Sequence, residues 1–231
     1  MGTAETNTIN PVEFELISRW QLLRDEMNVS GARMLAVSKY HTDGEVSMLA
    51  HAGQIDFAES RPQSLRDRAQ KFPELNWHMI GPVQRNKAKY VGQFAYMWHS
   101  LCDIEVAKMV AKHVTDRVLP VLIQVNISGE KQKYGVPPES LALFLSQVKE
   151  IDGLNVIGLM GMAARPKDAG SDIGMHEMRS SFSMLQGLRD ELGDASLREL
   201  CMGMSGDFRI AIEEGATMVR LGTVLFGAKS I

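Results

Sequence analysis

Arg33-Met34-Leu35-Ala36-Val37-Ser38-Lys39 is apolar from Met34 to Val37 and ends in a lone amine. Because no polar residue alternates with the apolar ones, a strand here is buried on both faces, as in a parallel sheet covered by helices. A helical pattern follows at 44–52 and a second apolar run at 54–58, which makes the unit strand, helix, strand. The same alternation recurs along the chain. Strand-like runs lie at 33–38, 54–58, 76–80, 96–101, 118–127, 156–160, 200–203 and 218–222. Between them, helical periodicity is strongest at 104–114, 138–151 and 173–192, with shorter candidates at 63–71, 84–91 and 205–214.

Repeated βα units imply parallel strands joined by right-handed crossovers. Eight such strands in 231 residues predict an α/β fold of one domain over 1–231, a closed (β/α)8 TIM barrel, in preference to an open doubly wound sheet. An amphipathic stretch at 11–27 precedes the first strand and is expected to pack where an eighth helix would otherwise lie. No Pro/Gly/Ser-rich stretch or charge run divides the chain.

Composition narrows the functional classes. Hydrophobic residues make up 45% of the chain, enough for a large core, and its 15 methionines read as core filler. A net charge of −3 and a pI near 6.1 give no general attraction for nucleic acid or an anionic membrane, so any anion needs a local site. Cys102 and Cys201 match neither a disulfide framework, a zinc site nor a redox pair, which fits a reducing, cytoplasmic setting. The polar first ten residues do not resemble a signal peptide, and no apolar run is long enough to cross a bilayer. Met1-Gly2 with Thr6 matches the permissive myristoylation pattern, but lipidation is not the expectation.

In a (β/α)8 barrel the chemistry sits at the carboxyl ends of the strands, and phosphate is commonly held after strands seven and eight. Lys39 ends strand one; a strand-end lysine is usually just solvated, but here a barrel mouth would surround it. Met204-Ser205-Gly206-Asp207 follows strand seven and is expected to open a helix, aiming backbone N–H groups at the mouth. Gly222 and Thr223 follow strand eight and add close backbone approach and a hydroxyl. Arg220 would project beside strand one once the barrel closes, and that cation together with partial desolvation would favour the neutral, nucleophilic amine at Lys39. An amine for an aldehyde and a cradle for a phosphate together describe a pocket for pyridoxal 5′-phosphate.

Other residues are more ambiguous. His78, inside Trp77-His78-Met79-Ile80-Gly81-Pro82, reads either as a satisfied core histidine or as a cofactor contact, and it has no partner at metal spacing. Arg85, Lys87 and Lys89 read as a solvated helix face or the rim of an anion site. The loop Asn126 to Gly135 is too elaborate for a minimal connection and could wall a pocket. No P-loop, nucleophile elbow or dinucleotide fingerprint occurs, and Gly158, Gly161 and Gly203 do not fit those spacings.

With these residues in place, the chain resembles the pyridoxal-phosphate homeostasis proteins, the YggS/PROSC-like family, from about Leu35 to Gly227. The most specific match runs from Trp77 to Val91; Ala36-Val37-Ser38-Lys39, Val125-Asn126-Ile127-Ser128, Gly158-Leu159-Met160, Met202 to Asp207 and Thr217 to Thr223 also fit. The resemblance implies a barrel similar to the barrel domain of alanine racemase, without the racemase's C-terminal β domain. It further implies a Schiff base on Lys39, phosphate held by Ser205, Gly206, Gly222 and Thr223, and Arg220 facing the pyridine nitrogen. Ser60 and His78 complete the candidate cofactor contacts. Ser60 departs from the family: Phe57-Ala58-Glu59-Ser60-Arg61-Pro62-Gln63 stands where the family usually reads Phe-Gly-Glu-Asn, while Pro62 suits the first turn of a helix.

The implied role is a carrier or regulator of the cofactor with no established catalytic reaction; pyridoxal-phosphate-dependent apo-enzymes are candidate partners, and the absence of the racemase's second domain favours a monomer. The alternatives are a racemase or a Schiff-base aldolase, for which no second acid/base residue stands out, or a structural interaction protein that holds no chromophore.

Overall fold

A computed structural model describes residues 11–128, 134–164, 168 and 170–228. The myristoylation pattern at Met1-Gly2 and residues 129–133 of the Asn126 to Gly135 loop lie outside them. Eight parallel strands close into a barrel in sequence order. They are β1 (Arg33–Val37), β2 (Asp56–Glu59), β3 (Asn76–Met79), β4 (Met97–Leu101), β5 (Leu119–Val125), β6 (Leu154–Gly161), β7 (Glu199–Met204) and β8 (Met218–Leu221). Closure comes from β1 pairing with β8, where Leu35 lies opposite Arg220.

The helices are α1 (Pro11–Ser30), α2 (Asp43–Ala52), α3 (Pro62–Lys71), α4 (Ala88–Phe94), α5 (Ile104–Ala111), α6 (Leu141–Lys149), α7 (Asp172–Leu192), α8 (Phe208–Glu213) and α9 (Thr223–Phe226). Local chemistry starts and stops them. Thr42 and Glu45 form a reciprocal capping box on α2. Pro62 occupies the first turn of α3, as its fixed φ favours. Ser171 caps α7, which ends at Gly193 in the left-handed conformation that costs glycine least.

The alternating pleat divides the apolar residues of each strand between two cores. On β1, Leu35 and Val37 point into the barrel and join Ala58, Met97, Leu122, Met160, Cys201 and Met218, whereas Met34 and Ala36 point out under the helices. That split explains a strand apolar on both faces. α1 does occupy the gap between α2 and α9: Leu16, Trp20, Leu23 and Met27 are buried along it, and Arg19 donates from Nε to the Leu225 carbonyl at 2.8 Å.

Several boundaries differ from the sequence expectation, and three of the differences have a clear local cause. The strand expected over 118–127 stops at Val125, because the Asn126 carboxamide turns back to accept from the Ser128 backbone N–H at 3.3 Å. The helix expected over 84–91 begins as a 3-10 turn at Arg85–Lys87 and becomes α-helical only from Ala88. The helix expected from Ser205 starts at Phe208, because Asp207 Oδ1 accepts from the Met204 backbone N–H at 2.6 Å and closes a turn first.

Candidate functional site

At the carboxyl end of the strands a cavity of about 470 Å3 lies over β1, β7 and β8. Lys39, Ser205, Gly206, Arg220, Gly222 and Thr223, all expected from the sequence, line it. Val37, Ile80, Ala164, Met178 and Met204 supply its apolar surface.

Lys39 stands just beyond β1. Ser38, fully buried, donates its hydroxyl to Glu59 Oε1 at 2.7 Å and its backbone N–H to the Ala58 carbonyl at 3.1 Å, tying the ends of β1 and β2 together. Tyr40 then takes φ +69°, a left-handed conformation that costs a non-glycine residue about 1–2 kcal/mol, and the chain turns away after the lysine. Lys39 itself is exposed. The expected partial desolvation is therefore not met, since the mouth is open above the amine.

Glu59 is a feature that the sequence reading missed. It is 3% exposed, and burial pushes its carboxyl up against the opposing pull of the Ser38 hydrogen bond and the charges of Arg68 and Lys39. Arg68 Nε approaches it at 3.8 Å while also pairing with Asp43. The glutamate in the family-like stretch was its signal.

Arg220 is 5% exposed and projects inward from β8. Its Nη1 donates to the Cys201 carbonyl at 3.0 Å and to Cys201 Sγ at 3.3 Å, and its Nη2 donates to the Gly161 carbonyl at 3.2 Å. All three acceptors are uncharged, so the guanidinium keeps its full positive charge at the cavity floor. Burial pushes the Cys201 thiol up, against the pull of Arg220. The thiol therefore stays neutral beside it.

The β7 and β8 turns meet through Ser205. Its Oγ accepts from the backbone N–H of Gly222 at 3.2 Å and of Val224 at 3.3 Å. With both lone pairs engaged, the hydroxyl has only its O–H to offer, as a donor. The N–H groups of Gly206 and Thr223 donate to no protein acceptor among the described residues. Close packing holds this corner in place: Gly203 has φ +88°, and a β-carbon there would sit 2.6 Å from Ala211 Cβ and 2.9 Å from Phe208 Cα.

The two remaining candidates do not line the cavity. Ser60 follows β2 with its backbone against Gly81, where a β-carbon would lie 2.1 Å from the Ser60 carbonyl oxygen. The neighbouring Ala58 packs into the inner core. His78 is fully buried inside the barrel, with Nδ1 2.8 Å from His99 Nε2 and Nε2 3.2 Å from Asp56 Oδ1. Because a carboxylate only accepts, His78 carries its proton on Nε2, His99 donates from its own Nε2, and the bare Nδ1 of His99 has no partner among the described residues. The core-histidine reading thus describes its position, and Trp-His occurring in both strands (Trp77-His78, Trp98-His99) was the available clue.

No group of three or more metal-ligating side chains occurs among the described residues. Arg85 and Lys89 are exposed and Lys87 half-buried, none of them at this cavity, and Lys87 and Lys89 lie over the Tyr90 ring at 5.9 and 5.1 Å. They form a solvated face. No described helix is long and apolar enough to cross a membrane.

Known proteins resemble this chain in sequence and fold. The family model for the alanine racemase N-terminal domain matches residues 15–230. The pyridoxal phosphate homeostasis protein of Aquifex aeolicus is 36% identical over 205 residues, covering 86% of this chain and 87% of that protein. Its counterpart in Deinococcus radiodurans is 39% identical over 197 residues, covering 84% and 88%. PipY of Synechococcus elongatus, solved with PLP bound, superposes with a TM-score of 0.79 at 28% identity over 92% of this chain and 100% of that one. D-threonine aldolase of Filomicrobium marinum shares the fold alone, with a TM-score of 0.74 at 14% identity over 91% of this chain and 59% of that one. The chain thus belongs to the pyridoxal phosphate homeostasis protein family, built on the barrel of the alanine racemase N-terminal domain.

Proposed function

We propose that this protein binds pyridoxal 5′-phosphate (PLP) at the barrel mouth through Lys39 and serves the homeostasis of that cofactor in the cytoplasm, as a monomeric single-domain carrier that passes it to apo-enzymes. The observation that carries the reading is the convergence, in one cavity, of a primary amine, a buried guanidinium and a cluster of hydroxyl and backbone N–H donors. That donor set fits the group: a lysine for an aldehyde, a fixed cation for a ring nitrogen and uncharged donors for a phosphate. The names of the relatives and the PLP-bound PipY support the same reading.

When bound, PLP supplies an aldehyde that condenses with a lysine amine and a pyridine ring that withdraws electrons from the attached carbon. Lys39 provides the amine. Ser205, with its oxygen held by two backbone N–H groups, directs its O–H into the cavity, and Gly206 and Thr223 add backbone donors. Arg220, fixed by the Cys201 and Gly161 carbonyls, leaves Nε and the second hydrogen of Nη2 uncommitted among the described residues. A guanidinium cannot accept a proton, so a ring nitrogen facing it stays unprotonated and the ring remains a weak electron sink. Such a site favours holding the cofactor over demanding carbanion chemistry.

The test is PLP addition followed by borohydride reduction and peptide mapping. The expected result is a visible absorbance band and a reduced adduct on Lys39 that Lys39→Ala abolishes, with stability within about 0.5 kcal/mol of the parent because the residue is exposed. An adduct confined to another lysine, or none, overturns the proposal.

A further inference from the structure

A second cavity, of about 570 Å3, opens at the same end of the barrel and meets the first at Ile80. Ile80, Pro82, Trp98, Val106 and Met162 make its surface largely apolar. Two acceptors in its lining have no partner among the described residues. Gln124, only 5% exposed, commits its amide Nε2 to the Tyr134 carbonyl at 2.8 Å; this fixes the amide and leaves Oε1 with no partner among the described residues. Asp103, on the rim, caps α5 through Oδ1, accepting from Glu105 N at 2.8 Å and Val106 N at 3.1 Å, and its Oδ2 has no partner among the described residues.

Ser100 is already paired on both sides: it accepts from Trp98 Nε1 at 2.9 Å and donates to the Gly81 carbonyl at 2.6 Å. Burial pushes the Cys102 thiol up, and the Asp103 charge adds to that push, so the thiol is neutral and the carboxylate's field reaches into the cavity. Asp103 is the one charged residue among the described lining residues. An anion would be repelled here. A ligand that brings N–H donors, positive charge and an apolar body is matched on all three counts.

We propose that this cavity is a subsite for a primary ammonium group on an apolar stem, the chemistry of a lysine side chain, with Asp103 and Gln124 accepting from the ammonium and the apolar surface covering the stem. A free amino acid and a lysine within a polypeptide both carry that group. The subsite adjoins the proposed PLP cavity but recognises its ligand without PLP.

Binding of free L-lysine, of Nα-acetyl-L-lysine N-methylamide and of L-norleucine to the Lys39→Ala protein tests the proposal by calorimetry, with no covalent capture at Lys39. At least one lysine form is expected to bind saturably, with norleucine roughly tenfold or more weaker because it lacks the charge-assisted hydrogen bonds. Binding of free lysine alone assigns the free amino acid, binding of the capped form alone assigns a polypeptide lysine, and binding of both places recognition in the side chain. Asp103→Asn, which keeps a good helix cap, and Gln124→Met are each expected to weaken binding about tenfold. The proposal is overturned if neither lysine form binds, or if both variants bind like the parent. Lysine binding without PLP uptake would sink the PLP reading alone, and the reverse would sink this one alone.

Discussion

The hydroxyl oxygen of Ser205 accepts the backbone N–H of Gly222 at 3.2 Å, joining the turn after β7 to the turn after β8. With the second bond from Val224, the serine fixes the corner at which the proposed phosphate donors converge. Ser205→Ala removes one donor from the proposed phosphate site and releases two backbone N–H groups from their acceptor. PLP affinity is expected to fall about tenfold to a hundredfold, the loss of one to two charge-assisted hydrogen bonds, as read by titrating absorbance against PLP concentration.

Arg220 stabilises the fold as well as the site. Arg220→Leu leaves the Cys201 and Gly161 carbonyls without a buried donor, and each unsatisfied group costs about 1–3 kcal/mol. The expected loss is roughly 2–4 kcal/mol in urea unfolding, along with a shift in the absorbance of bound PLP. A variant as stable as the parent would remove Arg220 from the structural account.

The buried histidines predict acid lability. Burial holds His78 below the usual histidine range despite Asp56, and burial, with His78 and then the arginines adding, holds His99 well below it. The unfolded chain takes up protons near pH 6.5 that the folded one refuses, so this stability is present above about pH 6.5 and is lost as pH falls below it. The limiting slope for two histidines is about 2.7 kcal/mol per pH unit. Unfolding free energies between pH 7 and 5 measure it, and His99→Gln should remove roughly half of the histidine contribution.

Gly203→Ala tests the packing beneath the phosphate corner. Positive φ and a β-carbon 2.6 Å from Ala211 Cβ force β7 and α8 apart. A loss of about 2–4 kcal/mol is expected from strain and overpacking together, with weakened PLP binding because Ser205 lies two residues on. Gly206→Ala, whose β-carbon meets nothing within 4 Å, should leave stability nearly unchanged.

The eight strands, the N-terminal helix and the rim residues were legible because each rests on local chemistry. Period, caps and turn residues mark the elements, and the first residues beyond a barrel strand necessarily face the mouth. The errors arose where a specific hydrogen bond or contact, invisible to the periodicity, decides. The helix after β7 starts three residues later than its pattern suggests because Asp207 bonds back to Met204. His78 lies in the core because β4 brings His99 against it, and Glu59 is buried because Ser38 and Arg68 meet it from other elements.

By itself the sequence determined the barrel, its family, and the placement of Lys39, Ser205, Gly206, Arg220, Gly222 and Thr223 around one mouth. Only the tertiary structure decided which polar groups stay open there and which are already satisfied. Strand order follows from backbone geometry repeated along the chain, whereas the state of a hydrogen-bonding group depends on atoms that closure of the barrel brings to within about 3 Å from far along the chain.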